Sequence, residues 1–518
     1  MSTLANAFSG INTQTGSGGH FLDSVHQTLR LTHCWPVGQR VRWDCAQARQ
    51  ADNERVEPVM SRGKKRFAIG TALMALALAV SGCGSSGESG NANRASGGSA
   101  EASAAATGGD AIDWSTVKAD IRFVYPGTSE AEKELAEQFK ARMKEKYPNI
   151  NIEYMYLSWT DMEKKLSVML NSGDVPDLTQ TQDVTNLVRL NGLEDLNPYF
   201  EREGETLKKE DFLPGTMEYA QEDGKLYAVP NLANSFTLIV NEKMLNEAGM
   251  KLEELQTWED VERAAAAMTK DGKYGFGYPL GTARFAFRVP FTAAYSNDLL
   301  LSDTSEGSKS KYLETLQHFK NLEAYQPKAH LTWGYPEMFR AYSNGEVGMI
   351  AAGTFFTANV YSINPDIVNV SRTIAYPKGP SGTAAKAPVS NVGIAMFKDG
   401  KNKEIAWRLM QEWSSQEFNS TMAAVVNVTA IKSTSLDEII SKAEKAYPKA
   451  IEGHKTLLND FSKLLGESGV PMDKIPGQSE MEVVVQEQMV KLLTDKETVE
   501  EAYANIKEGI DKIKAKLE

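Results

Sequence analysis

Apolar positions along the chain switch between two periods. Ile121, Phe123 and Tyr125 alternate, which predicts a strand with a buried face. Pro126-Gly127-Thr128-Ser129 reads as a turn, with Thr128 or Ser129 available to cap the next segment. Ala131, Leu135, Phe139 and Met143 recur every four residues, with Ala136 beside them, and predict an amphipathic helix. Glu130, Glu132 and Glu134 suit its positive N-terminal end. Pro148-Asn149 stops it, and Ile150, Ile152, Tyr154 and Tyr156 alternate again. Strand, helix and strand joined by short turns form a βαβ unit and imply a parallel sheet. A further helix is expected over 160–170, ended by Gly173-Asp174-Val175-Pro176. A short strand, Asp177-Leu178-Thr179, then leads into Gln180-Thr181-Gln182-Asp183.

The same alternation of elements continues. Residues 235–240 predict a strand. Residues 258–268 predict a helix, opened by the capping pattern Thr257-x-x-Asp260. Gly348-Met349-Ile350-Ala351-Ala352 is a buried-strand run ending at Gly353, and 391–397 is another strand. Helices are expected over 404–413, 484–493 and 499–513. No tandem repeat occurs. Strands alternating with helices throughout place the chain in the α/β class.

One segment fits neither period. Residues 67–80 are apolar or small without a polar face, preceded by Arg62, Lys64, Lys65 and Arg66 and followed by Ser81-Gly82-Cys83. A basic region, a short apolar run and a small-residue site make a secretory signal. The run is short of the roughly 20 apolar residues a bilayer span needs. Its end resembles the lipobox of bacterial lipoproteins, which makes Cys83 the lipid-modified (palmitate-bearing) first mature residue. The competing reading is an ordinary signal peptide with an incidental cysteine. Met60 stands just before the basic region, so translation is expected to start there. Residues 1–59 are then an upstream extension outside the native product, or a disordered segment, and 60–82 are the signal peptide. His33-Cys34 has no second Cys/His pair at ligand spacing, so no metal site is expected.

Composition narrows the function. No cysteine follows Cys83, so no disulfide staples the mature domain, and 436 residues from Cys83 onward suffice for two lobes. Nine of the 56 Lys/Arg and five of the 68 Asp/Glu precede Cys83, which leaves a mature charge of −16. A domain this acidic is a poor nucleic-acid binder. Residues 83–116 are rich in Gly, Ser and Ala and read as a flexible tether.

The ordered blocks YPGTSE, YPN, SGDVPDL, NGLEDLNPYF, GKLYAVPN, SFTLIVNEKM, TWEDVERAAAAMT, GEVGMIAAGTFF, SNVGIAMF and ETVEEAYANI resemble one family over about 117–518. They are similar to the family 1 extracellular solute-binding lipoproteins of carbohydrate ABC importers, the group that includes maltose-binding protein. The resemblance implies a two-lobed periplasmic-binding-protein-like fold with mostly parallel sheets and a hinge-bending cleft. By the same analogy the chain crosses the hinge near Ala228-Val229-Pro230-Asn231, Pro388-Val389 and Ile431-Lys432. Lobe 1 would be about 117–230 and 392–431; lobe 2 would be about 231–388 and 433–518. The implied function is capture of a sugar or oligosaccharide for delivery to permease subunits, without a cofactor. The implied location is the outer, extracytoplasmic face of the cell membrane, where the protein is held through lipid on Cys83, as a monomer.

Sugar sites pair aromatic faces with carboxylates, amides and hydroxyls, at the carboxyl ends of strands. The candidates come from that rule. Tyr125, Thr128, Ser129 and Glu130 follow the first strand, where the competing role is capping. Gln180, Gln182 and Asp183 follow the third; the resemblance gives Asp183 the role of the acidic residue that contacts sugar hydroxyls. Asn231 and Asn234 flank the first crossing, with a hinge turn as the alternative. Phe355 and Phe356 stand where the family usually places a stacking tryptophan, and one is expected in the cleft and one in the core. Trp159, Trp333 and Tyr335 are further aromatic candidates that could equally be core. Arg284, Phe285 and Phe287, in GTARFAFRVPF, match part of the second-lobe wall of related proteins; a surface salt bridge is the alternative for the arginine. Ser390 and Asn391 sit at the second crossing.

The rival classes are a secreted lipoprotein glycoside hydrolase or lyase, and a surface sensor or adhesin. No G-x-S-x-G and no H-E-x-x-H occurs, and the mature domain holds only His318, His330 and His454, without motif spacing. The expectation is a binder, not an enzyme.

Overall fold

A computed structural model describes residues 113–127, 129–213, 216–426 and 428–517. Cys83, the signal segment, the tether and Thr128 lie outside the described residues. Ten strands form one sheet: β1 (Ala119–Pro126), β2 (Ile150–Leu157), β3 (Leu178–Thr181), β4 (Ala228–Asn241), β5 (Tyr274–Gly277), β6 (Val347–Gly353), β7 (Ser371–Ile374), β8 (Ala387–Met396), β9 (Val428–Thr429) and β10 (Gly469–Pro471). The main path is β2-β1-β3-β8-β4-β6-β5; β7 and β9 join β4, and β10 joins β8.

The opening βαβ unit shows how sequence becomes structure. β1 and β2 pair in parallel with Ile121, Phe123 and Tyr125 opposite Ile152, Tyr154 and Tyr156. Helix Glu130–Lys146 begins at a capping box, in which Ser129 and Glu132 satisfy each other's backbone N–H groups. Leu135, Ala136, Phe139 and Met143 are its buried stripe. The Phe139 ring meets Trp413 at 4.6 Å and Phe418 at 4.9 Å, centroid to centroid. Burying each such side chain contributes about 1.5–3 kcal/mol.

The apolar core divides into two lobes. One cluster gathers Ile121 through Leu232 with Val392 through Ile431. The other lobe packs both faces of its own part of the sheet. Phe236, Leu238, Val240, Met349 and Ala351 bury on one face; Ile239, Val347, Ile350 and Ala352 bury on the other. Strands covered on both sides explain why all fourteen residues of β4 are buried. The parallel pairings lie within the lobes: β1 with β2 and β3, β5 with β6, and the start of β8 with β10. The long strands β4 and β8 join the lobes and run antiparallel to each other and to β3 and β6.

The lobe boundaries follow from these clusters. The core changes from the first lobe to the second between Leu232 and Ala233, and back between Val389 and Val392. Beyond Ile431-Lys432, Ile439, Ala443 and Leu458 pack with the first cluster, while Ala450, Leu457 and Phe461 pack with the second. Helix Ile451–Glu467 thus contacts both clusters. At the first crossing, a register shift between Val392 and Gly393 leaves Asn231 as the extra residue of a bulge. Asn231 Nδ2 donates to Ser414 Oγ at 2.6 Å, and its carbonyl accepts from Asn419 Nδ2 at 2.7 Å. Those bonds tie the bulge to first-lobe helices.

Candidate functional site

The carboxyl ends of β1 and β3 in one lobe face the start of helix Ala283–Tyr295 and the end of β6 in the other. Between them lies a two-part cleft with empty volumes of about 750 and 930 Å³. Trp159, Gln180, Gln182, Arg284 and Arg288 line both parts. Four bonds among the described residues join the lobes beside it: Arg284 Nη2 to Gln182 Oε1 at 2.5 Å, Lys474 Nζ to Glu222 Oε2 at 3.1 Å and to the Gln221 carbonyl, and Ser479 to Glu163.

One wall is aromatic. Phe285 stacks on Tyr335 with centroids 3.5 Å apart and planes 10° apart, and Phe355 lies 5.9 Å beyond Tyr335 at 30°. The three rings come from three helix starts, so their mutual placement depends on the whole lobe. Gly353 sets the turn that brings Phe355 in: a Cβ there would come within 2.4 Å of the Ser235 carbonyl. Burial pushes the Tyr335 phenol up to about 12. It is a neutral donor at physiological pH.

The opposite wall is mixed. Tyr125 and Trp159 supply rings, and Gln180 and Gln182 supply amides. Asn234 closes the floor beside Leu232 and Phe236, and its Oδ1 accepts from Thr354 Oγ1 at 3.2 Å. Asp183 and Ser390 line the second part. Asp183 Oδ1 accepts from the Thr185 N–H at 2.8 Å, so this carboxylate also holds the following helical turn.

The remaining sequence candidates lie elsewhere. Ser129 is a helix cap and does not line the cleft. Glu130 is exposed and pairs with Lys133 at 2.8 Å. Asn231 is fully buried in the bulge, where its Nδ2 bonds Ser414 and its backbone carbonyl bonds Asn419. Phe287 and Phe356 are core residues with no exposed surface. Trp333 packs against the second lobe's core outside the cleft. Asn391 points away, donating to the Thr216 carbonyl.

Several lining residues escape sequence reading. Glu132 lines the first part of the cleft, and only its i+3 relation to Ser129 hinted at a role. Arg288 lies one turn after Arg284 on a helix that the sequence pattern did not reveal. Phe236 and Asn359 carried no signal.

The histidines are structural. His318 contacts Glu262 and Tyr376, His330 contacts the Tyr278 carbonyl and Glu323, and His454 contacts Thr357 and the Ala424 carbonyl. None of them lines the cleft. Among the described residues, no group of three or more His, Cys, Asp or Glu could hold a metal ion, and no helix is long and apolar enough to cross a membrane.

A family model described as bacterial extracellular solute-binding protein matches residues 125–419. An arabinooligosaccharide-binding protein of Bacillus subtilis is 20% identical over 321 residues, 58% of this chain and 71% of that protein. A Sinorhizobium fredii protein, provisionally named as an amino-acid ABC transporter periplasmic-binding protein, is 24% identical over 281 residues, 50% of this chain and 62% of that protein. Among solved structures, the GacH receptor of Streptomyces glaucescens, determined unliganded and with acarbose, superposes with a TM-score of 0.62 at 18% identity. It covers 77% of this chain and 98% of that one, and the likeness carries the two-lobed fold.

Proposed function

Because this chain belongs to the family of bacterial extracellular solute-binding proteins, we propose that it captures a sugar or oligosaccharide between its lobes and delivers it to the permease subunits of an ABC importer. The observation that carries the reading is the aromatic wall of Phe285, Tyr335 and Phe355, facing the amides of Gln180 and Gln182. Flat rings cover the C–H face of a pyranose, and amides bond its hydroxyls. An amino-acid ligand would need an acceptor for its ammonium group. Three of the four lining carboxylates are otherwise engaged: Glu132 in its capping box, Asp183 on the Thr185 N–H, and Glu163 on Asn186 and Ser479; the fourth, Glu480, is exposed at the rim.

The reading is a binder without catalysis. Structural use of His318, His330 and His454, and a cleft in which Glu132, Asp183 and Glu163 are bonded to backbone or neighbours, supports it over a hydrolase or lyase. A thermal-shift screen of sugars and amino acids tests it. A ligand at a hundred times its Kd stabilises the native state by about 2.7 kcal/mol. Stabilisation by amino acids alone would refute the sugar reading.

The anchor is part of the same proposal. The basic run, the apolar run and Ser81-Gly82-Cys83 support a lipoprotein signal processed at Cys83, with the domain held at the outer face of the membrane. Cys83→Ala is expected to abolish labelling by a lipid precursor and to release the protein from membrane fractions. Undiminished labelling and retention would overturn the anchor and leave the cleft reading intact.

A further inference from the structure

Ten arginines lie among the described residues. Seven make an ion pair with a carboxylate. The three that make none are Arg189, Arg284 and Arg288, and all three line the cleft. Carboxylates are not scarce in this chain, which carries 68 acidic against 56 basic residues. The lack of pairing belongs to the cleft.

Arg288 is the most demanding of the three. It is only 5% exposed. Among the described residues, its guanidinium has one hydrogen-bond partner, the weakly accepting Met472 Sδ at 3.5 Å. It packs over Phe236 at 4.6 Å and Phe291 at 5.2 Å, and its other N–H groups front the cavity without a protein acceptor. Burial first, and Arg284 second, lower its pKa. Glu482 acts on it through space, but no carboxylate oxygen lies within 4.0 Å.

Arg284 adds to the cost. It stands four residues earlier on the same helix, so the two cations share a face and repel. They lie in the first half of that helix, whose first turn has no acidic residue, so its dipole opposes them as well. Among the described residues, Arg284 bonds only the uncharged Gln182 and sits 6.0 Å from the Trp159 ring centroid. Glu480, the remaining carboxylate of the cleft, is exposed and pairs with none of the three. Two guanidinium groups without a carboxylate partner among the described residues thus face one cavity.

We propose that the cleft selects an acidic saccharide, a sugar or short oligosaccharide bearing a uronate-type carboxylate, and that Arg284 and Arg288 receive the anionic group. The proposal rests on the sugar-binding reading above and specifies its ligand class. The planar guanidinium fork matches a carboxylate by two parallel N–H···O bonds. The aromatic wall, on the same side of the cleft, takes the ring that carries the carboxylate.

Calorimetric titration of the full chain tests this with three sets of probes of matched length: uronate trisaccharides, their carboxyl-reduced neutral counterparts, and sulfated trisaccharides. The expected result is binding of at least one uronate, with its neutral counterpart weaker by about a hundredfold. Arg288→Met and Arg284→Gln should each remove most of that difference. The ligand-free melting temperature of Arg288→Met should be unchanged or higher, which separates loss of binding from loss of fold. A neutral sugar that binds as tightly as its acidic counterpart would overturn the proposal and leave the sugar reading standing. Binding of the sulfated probes alone would overturn the carboxylate assignment. Failure of all three sets, with binding of non-sugar solutes, would overturn both.

Discussion

Phe356→Ala is expected to cost about 3–5 kcal/mol of stability, the range for emptying a fully buried aromatic site. Its ring has no exposed surface and is gripped by Tyr342 at 5.4 Å and Phe339 at 6.3 Å, both edge-on. The neighbouring substitution, Phe355→Ala, is expected to act on binding instead. Phe355 is half-buried and lines the cleft, with Phe236 at 6.1 Å and Tyr335 at 5.9 Å as its ring neighbours. Loss of a cleft aromatic of this kind weakens binding by about tenfold or more. Urea unfolding and calorimetric titration of both variants separate the two effects. Normal affinity in Phe355→Ala would move the stacking platform to Tyr335 or Trp159. Near-normal stability in Phe356→Ala would contradict the packing of this ring.

Stability is also expected to fall as the pH drops from about 6.5 to about 4, through His454. Burial holds the folded-state pKa of this imidazole down to about 4, against 6.5 as its ordinary value. The Ala424 carbonyl can only accept, so Nε2–H donates to it at 2.9 Å, and Nδ1 takes the Thr357 hydroxyl at 3.0 Å. The depressed pKa fixes the sign. Above 6.5 neither state binds the proton and nothing is lost. Below it the unfolded chain protonates first, so folding is penalised, and the loss is complete near pH 4. The drop from 6.5 to about 4 is worth about 3 kcal/mol. Urea midpoints across this range should fall more in the parent than in His454→Gln, after the carboxylate contribution common to both is subtracted. Equal slopes would exclude His454 as the source.

Legibility from sequence followed the simplicity of the local pattern. The βαβ opening and helix Trp258–Met268 were readable because each has one buried face, a clean period and a recognisable cap. β4 was not. Only 235–240 of its fourteen residues read as strand, because Pro230, Asn231 and Asn234 are poor strand formers. They are tolerated because a bulge, Ser414 and Asn419 meet their special needs. Helix Ala283–Tyr295 was hidden in another way. It is buried almost all round and contains Pro290, so no amphipathic stripe marks it. Arg288 was lost with it, since its relation to Arg284 exists only on a helix. Helix Ile451–Glu467 carries no single stripe for a similar reason, since Leu458 packs with one core cluster and Leu457 and Phe461 with the other.

The cleft was legible in part for a related reason. The positions after strands, Tyr125, Gln180, Gln182, Asp183 and Phe355, do line it. Asn231, Phe287, Phe356 and Asn391 share the residue types expected of a site, but the fold buries them among neighbours far along the chain. Satisfaction of a polar group by a distant partner is a tertiary fact that local spacing does not encode.

The discontinuity of the first lobe bears on how this chain acquires its structure. β3 cannot complete its pairing until β8 exists, because Leu178 pairs with Met396. The whole of the second lobe's central segment is synthesised between those two residues. Closure of so long a loop costs entropy before any contact rewards it, which slows folding. The second lobe waits as well, since Met472 and helix Gln478–Leu493 complete its core only near the end of the chain. Neither core can therefore close on a partly made chain. Assembly is a late event that needs nearly the full length, and until then the long strands β4 and β8 have no finished sheet to enter.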